Sequence, residues 1–351
     1  MSSTLTPAQQ LTGLTLKNGW VVEKHIAKLP DATGGYFSEG YLVRNTKGQP
    51  AFLKALDYSR AFKDPQTSRR LQELTTAYNF ECDVLARCNA KHLAHVVKAI
   101  DFGSVEVPLS PFQKVEYIIF EWAEGGDVRS QALVSRTFDT AWSLRSLHHI
   151  ATGLHELHGT GIAHQDVKPS NVLVFESNDR KLADLGRASD LNNPAPHDAE
   201  IIAGARPYAP PELLYRDPPG DWDHRRFGCD AYHLGSMVTF LFAASGATAL
   251  LFSHLPDHLL PTNWTGSYLD VLPYIRDAWG RAAVAFDATT PDGFKEELGI
   301  AVRQLCDPEP ARRGHPLTRS SGGNPFSLER YISLFNMLAA RAEFRLQRGE
   351  N

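Results

Sequence analysis

The fold of this chain is best predicted from one stretch, Gly161-Ile-Ala-His-Gln-Asp-Val-Lys-Pro-Ser-Asn-Val-Leu-Val-Phe175. It opens with apolar residues and continues in a polar turn that contains Asp166, Lys168 and Asn171. The apolar run at 172–175 then predicts a short buried strand. The turn places a carboxylate, an ammonium and an amide within six residues. Phosphoryl transfer uses all three: the carboxylate accepts the proton of an attacking hydroxyl, the ammonium offsets charge on the phosphoryl group, and the amide oxygen holds a metal ion.

The composition is that of an ordinary globular protein. Hydrophobic residues make up 42% and charged residues 22% of the 351 residues, which allows about two domains with substantial cores. A net charge of -4 argues against a nucleic-acid-binding protein, which would carry a basic surface. The first residues lack the basic and apolar regions of a signal peptide, and the four cysteines form no C-x-x-C pair. We therefore expect a cytoplasmic protein without a nucleic-acid partner.

One stretch, residues 234–252, has no charged residue and is about as long as a membrane crossing requires. Small and polar residues dominate it, and Ser245-Gly246 interrupts a helix. We expect a buried helix of a globular protein there and no membrane span.

The part of the chain before the loop predicts a small α+β unit. Residues 1–19 have no strong periodicity and are expected to form an arm. A helix is predicted from about residue 66 to residue 88. The predicted strands are residues 20–26, 41–43, 51–56, 95–102 and 115–120. Between the first two strands, Gly34, Gly35 and Gly40 would let backbone N–H groups approach a phosphate closely, although such glycines more often belong to an ordinary hairpin.

Lys54 lies inside the apolar third strand, where a buried ammonium is costly without a counter-charge. In the following helix, spacings of three and four residues run from Leu71 to Leu85 and place Glu81 on the apolar face. We expect Lys54 and Glu81 to pair. The alternative is that Lys54 reaches solvent from an edge strand and that Glu81 lies at the border of the apolar face.

Together these features resemble the protein kinase family. Residues 164–171, His-Gln-Asp-Val-Lys-Pro-Ser-Asn, are similar to the catalytic loop H-R-D-x-K-x-x-N of the Ser/Thr type, with Gln165 in place of arginine. Asp-Leu-Gly at 184–186 resembles D-F-G and follows Asp166 by 18 residues. Residues 204–212 resemble G-T-x-x-Y-x-A-P-E, and residues 230–235 resemble the D-x-W-S-x-G start of the central helix. The motifs keep the family's order from about residue 20 to residue 340.

The resemblance implies an α+β, bilobal protein-kinase fold, with a small five-stranded antiparallel sheet plus one helix and a larger, mainly helical lobe. The implied boundaries are an N-terminal arm at 1–19, an N-lobe at 20–121, a hinge at 122–127, a C-lobe at 128–345 and a C-terminal tail at 346–351.

The resemblance also implies ATP and Mg²⁺ as cofactors and assigns roles to the matching residues. Asp166 and Lys168 would be catalytic, and Asn171 and Asp184 would hold the metal ion. The nucleotide would be bound by the remaining matches, with the backbone of Glu121 and Ala123 at adenine and Asp127 near the ribose. The full set of these nucleotide-binding residues is Gly35, Ser38, Gly40, Lys54, Glu81, Glu121, Ala123, Asp127 and Leu173.

Further expectations follow for the helical lobe. Glu212 would pair with Arg313, or with Arg312, and His164 would form a hydrogen bond near the metal-binding segment. Residues 187–203 would form an exposed activation loop. Asn324-Pro325 would cap and begin the closing helix.

Two departures from the family pattern concern regulation. The arginine that Gln165 replaces would bind a phosphate on the activation loop. Only Ser189 offers a hydroxyl between Leu185 and Ala203. We therefore hypothesise that activity does not require phosphorylation of this loop.

The predicted function is ATP- and Mg-dependent transfer of the γ-phosphate to Ser/Thr hydroxyls of protein substrates. Phe37 at a glycine position, Phe52 at an alanine position and Ala205 at a threonine position keep a pseudokinase or nucleotide-binding scaffold open as an alternative. A kinase of small molecules is a third possibility, because such enzymes share the D-x-x-x-x-N loop. The segment ending at Glu212 and the residue Asp230 favour a protein substrate.

Overall fold

The computed structural model describes residues 5–27, 37–59, 61–108, 114–134 and 139–349. Two compact units make up the chain. The first comprises Met1–His92 and Val97–Glu124, and the second comprises Leu93–Val96 and Gly125–Asn351.

The first unit contains a five-stranded antiparallel sheet and one long helix. The strands are Val21–Ile26 (β1), Ser38–Arg44 (β2), Pro50–Leu56 (β3), Ala99–Glu106 (β4) and Lys114–Glu121 (β5), in the order β1-β2-β3-β5-β4. The helix is Thr67–Ala90 (α1). The predicted α+β unit is confirmed, but the predicted start of the fourth strand at residue 95 is wrong. His95 and Val96 belong to the second unit, where Val96 pairs with Leu182.

The segment predicted as a separate arm is part of the core of the first unit. Ala8, Leu11 and Leu16 are buried in one cluster with Tyr41 and Val43 of β2. The Tyr41 hydroxyl donates to the Ala8 carbonyl over 2.6 Å. This packing has no periodic pattern in the sequence, because the three residues project from irregular backbone and a short 3-10 turn, Pro7–Gln9.

The second unit is mainly helical. Its helices are Val128–Val134 (α2), Thr140–His158 (α3), Pro211–Leu214 (α4), Trp222–Ala243 (α5), Ala247–Ser253 (α6), Tyr268–Thr289 (α7), Lys295–Leu305 (α8), Pro316–Arg319 (α9) and Glu329–Gln347 (α10). Two short antiparallel pairs complete it. Ile162–Ala163 (β6) pairs with Ser189–Asp190 (β9), and Val172–Val174 (β7) pairs with Arg180–Leu182 (β8).

Helix α5 is the central helix of the second unit, and most of its residues are buried. It begins at Trp222, where the Asp221 carboxylate accepts from the backbone N–H of His224. The predicted start at Asp230 is therefore wrong, and Asp230 lies in the middle of the helix. The uncharged stretch 234–252 is divided between α5 and α6. Among the described helices, none by itself is long and apolar enough to cross a membrane, and α5 and α6 meet that test only together, bent by 73°.

The closing helix α10 begins at Glu329, so the predicted start at Asn324-Pro325 is also wrong. Asn324 Oδ1 accepts from the N–H of Phe326, and its carbonyl accepts from the N–H of Ser327. These bonds close a turn before the helix, since asparagine side chains stabilise turns as readily as helix starts. The helix packs against α3, where Arg145 forms two hydrogen bonds with Glu343.

Candidate active site

The loop between β6 and β7 is fixed by one buried carboxylate of α5. Asp230 accepts from the backbone N–H groups of His164 (2.7 Å) and Gln165 (2.8 Å). His158 Nε2 lies 3.0 Å from Asp230 Oδ2, the oxygen that also accepts from His164, and donates to it because a carboxylate only accepts. Burial alone would raise the pKa of Asp230, but the bond from His158 and the nearby histidines hold it below its ordinary value. Asp230 therefore stays ionised and anchors the loop.

Asp166 is buried and its two carboxylate oxygens have different partners. Oδ2 accepts from Lys168 Nζ over 2.7 Å and from Asn171 Nδ2 over 3.1 Å. Oδ1 accepts from the backbone N–H of Ala205 over 2.8 Å. The three residues that the sequence singled out are thus in direct contact. The bond from Ala205 was not predicted, because no local pattern connects positions 39 residues apart.

His164 links this loop to the segment that carries Asp184. Its Nδ1 accepts from the N–H of Asp166 over 3.3 Å, and its Nε2 lies 3.1 Å from the Ala183 carbonyl. A carbonyl can only accept, so these two contacts require the Nε2-protonated tautomer. The expected hydrogen bond of His164 to the segment that carries Asp184 is present.

Asn171 and Asp184 lie at the open end of the β7–β8 hairpin. Asn171 directly precedes β7, and the Ala183 N–H donates to the Asn171 carbonyl over 2.9 Å. Asp184 follows with left-handed backbone (φ 64°), which is uncommon for a residue with a side chain and turns the chain sharply there. An amide oxygen and a carboxylate are hard oxygen donors, and Mg²⁺ in phosphoryl-transfer sites is held by few protein groups. These two residues therefore fit a magnesium ion.

In the first unit, Lys54 and Glu81 form the expected ion pair. Lys54 Nζ donates to Glu81 Oε1 over 2.8 Å and to Oε2 over 3.0 Å. The Glu81 side chain is buried, and that of Lys54 is 25% exposed. The pair fixes the end of the Lys54 side chain and leaves it partly accessible.

The glycine-bearing hairpin is described only in part. Gly34 and Gly35 lie outside the described residues, whereas Ser38 and Gly40 lie in β2. Gly40 is paired with Lys54, and a Cβ at this position would lie 2.9 Å from the ring of Phe52. The small size of Gly40 therefore makes room for Phe52, a packing relation that the sequence did not indicate.

The residues expected near adenine and ribose lie on both sides of the point in the sequence where the first unit ends. Glu121 and Ala123 belong to the first unit, and Asp127 belongs to the second. In the first unit, Glu121 ends β5, and its side chain accepts from the N–H of Lys98 over 2.8 Å; Ala123 follows in a loop. In the second unit, the Asp127 carboxylate accepts from the N–H and the hydroxyl of Ser130 and thereby caps the N-terminus of α2. Asp127 is also bridged to Leu173 of β7.

The segment 204–212, which supplies the Ala205 N–H to Asp166, is anchored by a buried ion pair. Arg313 donates to both carboxylate oxygens of Glu212, over 2.8 and 2.9 Å. Arg313 also donates to the carbonyls of Gly228 and Asp307. Burial alone would lower the pKa of Arg313, and Glu212 reverses this and raises it. The expected partner is thus Arg313, while Arg312 is exposed.

The activation loop differs from the expectation in one respect. Residues 187–203 were predicted to be exposed, but Ser189 and Asp190 are buried because they pair with Ile162–Ala163. Ser189 has no measurable exposure. A strand of only two residues cannot be recognised from the sequence when the surrounding residues are typical of turns.

The sheet of the first unit, the helices of the second unit and the motifs that carry these side chains are those of the protein-kinase class. Comparison with known protein families supports the same class, since residues 34–250 match the protein kinase domain. The chain belongs to the protein kinase family.

Curated relatives agree with this assignment. The chain is 28% identical over 225 residues to serine/threonine-protein kinase PknL of Mycobacterium tuberculosis, which covers 64% of this chain and 50% of that protein. It is 23% identical over 282 residues to CBL-interacting protein kinase 26 of Oryza sativa subsp. japonica, which covers 80% and 48%. It is 33% identical over 207 residues to serine/threonine-protein kinase MRCK gamma of Mus musculus, which covers 57% and 12%. The chain therefore spans half or less of the length of these relatives.

Proposed function

We propose that this protein is a serine/threonine kinase that transfers the γ-phosphate of ATP, with Mg²⁺, to hydroxyl groups of protein substrates. The observation that supports this most directly is the environment of Asp166. A carboxylate has about four acceptor positions. Lys168, Asn171 and Ala205 occupy three of them, two on Oδ2 and one on Oδ1. The remaining position, on Oδ1, is where an acceptor hydroxyl would bond and give up its proton as its oxygen attacks.

The other residues of the site would act through charge and position. Mg-ATP supplies the phosphoryl group and the leaving group, with Asn171 and Asp184 as metal ligands. Lys54 would bind phosphate oxygens, and Glu81 keeps its ammonium in place. Lys168 would offset negative charge next to Asp166, a fixed electrostatic contribution that needs no rearrangement.

The preference for serine and threonine is supported by Lys168-Pro169 in the loop and by the names of two relatives, PknL and MRCK gamma, which are called serine/threonine-protein kinases. The buried pair Glu212–Arg313 supports a protein substrate, because it fixes the segment 204–212 that would receive a peptide. The proposal includes a cytoplasmic location, which the cysteine content supports, because four cysteines without a C-x-x-C pair are too sparse for a disulfide framework.

The test is transfer of labelled γ-phosphate from Mg-ATP to casein and to the chain itself, with phosphosites mapped by mass spectrometry. Asp166→Asn is expected to lower the rate by about 10²-fold or more, because it removes the base and keeps the shape of the side chain. Asp217→Asn, which changes an exposed carboxylate of the same unit, should leave the rate unchanged.

Phosphate on serine or threonine in the wild type, lost in Asp166→Asn, would support the proposal. If the wild type transfers no phosphate although Mg-ATP raises its melting temperature, the proposal of transfer activity is wrong. Phosphate on tyrosine alone would overturn the proposed specificity.

A further inference from the structure

We propose that Arg226 is a positioning residue that locks the activation segment, residues 187–203, onto the catalytic loop through Asp198 and Gln165. In this arrangement the Asp198 carboxylate takes the place of an added phosphate in the lock. The inference concerns regulation of the site proposed above and rests on that function for its kinetic consequence only.

The lock is one buried guanidinium group with contacts in two directions. Arg226 lies near the start of α5 and is 2% exposed. Its Nη2 donates to the Asp198 carbonyl over 2.9 Å and lies 3.2 Å from Asp198 Oδ1. Its Nη1 donates to Gln165 Oε1 over 3.3 Å. The planar guanidinium thus joins the activation segment to the residue that precedes Asp166.

Gln165 depends on these contacts to keep its backbone conformation. Its φ is 65°, a left-handed value that costs free energy for any residue other than glycine. Its side-chain Nε2 donates to the Arg226 carbonyl over 2.9 Å, in addition to the bond from its N–H to Asp230. A shift of Arg226 would therefore move Gln165, and with it the carboxylate of the next residue, Asp166.

The residue type at position 165 matches this arrangement. Glutamine is neutral and offers both an acceptor to the Arg226 guanidinium and a donor to the Arg226 carbonyl. An arginine at position 165 would replace the glutamine acceptor with a second guanidinium, which has no acceptor to offer Arg226. The hydrogen-bond donors and acceptors of Gln165 and Arg226 are therefore complementary.

Three further contacts hold the activation segment and its end in place. Asp198 Oδ2 accepts from the N–H of Ala195 over 2.8 Å, so both of its oxygens are engaged. Arg225 donates to the carbonyls of Asp198 and Glu200. At the end of the segment, Gly204 approaches the loop so closely that a Cβ there would lie 2.2 Å from the Gln165 carbonyl oxygen.

The only hydroxyl side chain of the segment gives no alternative switch in this conformation. Ser189 is fully buried in β9, so its hydroxyl is inaccessible to a modifying enzyme. An encoded carboxylate at position 198 thus accounts for an ordered segment without modification.

The test is hydrogen–deuterium exchange of the full chain after phosphatase treatment, which does not depend on activity. The backbone amides of Ala195, Asp198 and Glu200, all hydrogen-bonded, report on the segment. Arg226→Met and Asp198→Asn are each expected to raise their exchange rates by about tenfold or more, since a charge-assisted bond is lost. Asp198→Glu, which keeps the carboxylate, should restore protection.

Glu200→Gln is the matched control. It removes a carboxylate from the same segment, but the Glu200 side chain is 49% exposed and its partners, Arg187 at 3.6 Å and His197 at 2.7 Å, both lie within the segment and not on the catalytic loop. Exposed pairs contribute little, so the exchange rates should stay within about twofold of the wild type. Gln165→Arg should raise exchange as Arg226→Met does.

The kinetic readout separates this inference from the proposed function. With casein as substrate, Asp198→Asn should lower kcat by about tenfold and leave KM for ATP unchanged, because the nucleotide-binding residues are not altered. If the amide exchange rates of the segment are unchanged in Asp198→Asn, the proposed lock is wrong, whatever the activity of the variant. This test remains available even if Arg226→Met does not fold. If the exchange results are as expected but the wild type transfers no phosphate, the lock stands and the proposed function falls.

Discussion

Removal of the Glu212 carboxylate is expected to destabilise the second unit strongly. Arg313 has no measurable exposure and Glu212 is 2% exposed, so Glu212→Ala would leave a buried guanidinium with only carbonyl partners at Gly228 and Asp307. Breaking a buried pair from one side costs about 3–5 kcal/mol. For a unit of this size each kcal/mol lowers the melting temperature by about 2–4 °C, so the expected shift is about 6–20 °C.

Thermal unfolding followed by circular dichroism measures this shift, and the chain supplies a matched control. Arg313→Met should behave as Glu212→Ala does. Arg312→Met changes the neighbouring arginine, which is 58% exposed and lies 3.7 Å from its carboxylate partner Asp307, and should cost about 1 kcal/mol or less. The double variant Glu212→Leu/Arg313→Met should recover most of the loss, because no buried charge is left alone. Equal shifts for Arg312→Met and Arg313→Met, or a double variant no better than the single ones, would refute the reasoning.

Three further predictions concern the nucleotide, the acid limit of stability and the sheet. Lys54→Met should lower the initial rate of phosphate transfer at saturating Mg-ATP by about 10²-fold, because a fixed ammonium is lost. Burial lowers the pKa of His149 to about 3, so the unfolded chain, with a pKa near 6.5, binds the proton first and stability falls as the pH drops. Between pH 7.5 and pH 5 this residue accounts for a loss of about 2 kcal/mol in the free energy of unfolding. Urea unfolding should show a smaller loss in His149→Gln. The loss should be unchanged in His258→Gln, which alters an exposed histidine. Gly40→Ala should cost about 1–3 kcal/mol by overpacking against Phe52, and thermal unfolding should show a smaller cost in a Phe52→Ala background.

Each of these has an outcome that contradicts it. Full transfer activity in Lys54→Met would remove this lysine from the proposed site. A pH dependence of His149→Gln equal to that of the wild type would mean that another group titrates. Equal costs of Gly40→Ala in both backgrounds would show that the Phe52 ring is not what limits position 40.

The parts of the site that are local in sequence could be predicted from it. Lys54 and Glu81 were found because a charge inside an apolar strand and a charge on an apolar helix face each require a partner. Asp166, Lys168 and Asn171 were found because one short turn carries all three. The capping of α2 by Asp127 could also have been predicted, since an aspartate directly before a helix is a common cap. From the sequence, this residue is assigned only a role near the ribose.

The parts that depend on tertiary packing could not be predicted. Asp230 was placed at the start of a helix, whereas its bonds to His164 and Gln165 span more than sixty positions and leave no trace in spacing. Arg226 had no signal at all, because neither its burial nor its partners follow from neighbouring residues. Ser189 was expected to be exposed because the surrounding composition is typical of turns, and a two-residue pairing buries it.

The packing of the N-terminal segment determines how short a fragment of this protein can be. The span that matches the protein kinase domain, 34–250, omits the buried Leu11 and Leu16. It also omits α10, whose Glu343 binds Arg145 of α3. A fragment cut at those limits would expose apolar surface at the sheet and along α3. Recombinant fragments should therefore include the buried cluster that begins at Ala8 and the whole of α10, and the minimal folding unit is wider than the span of family similarity.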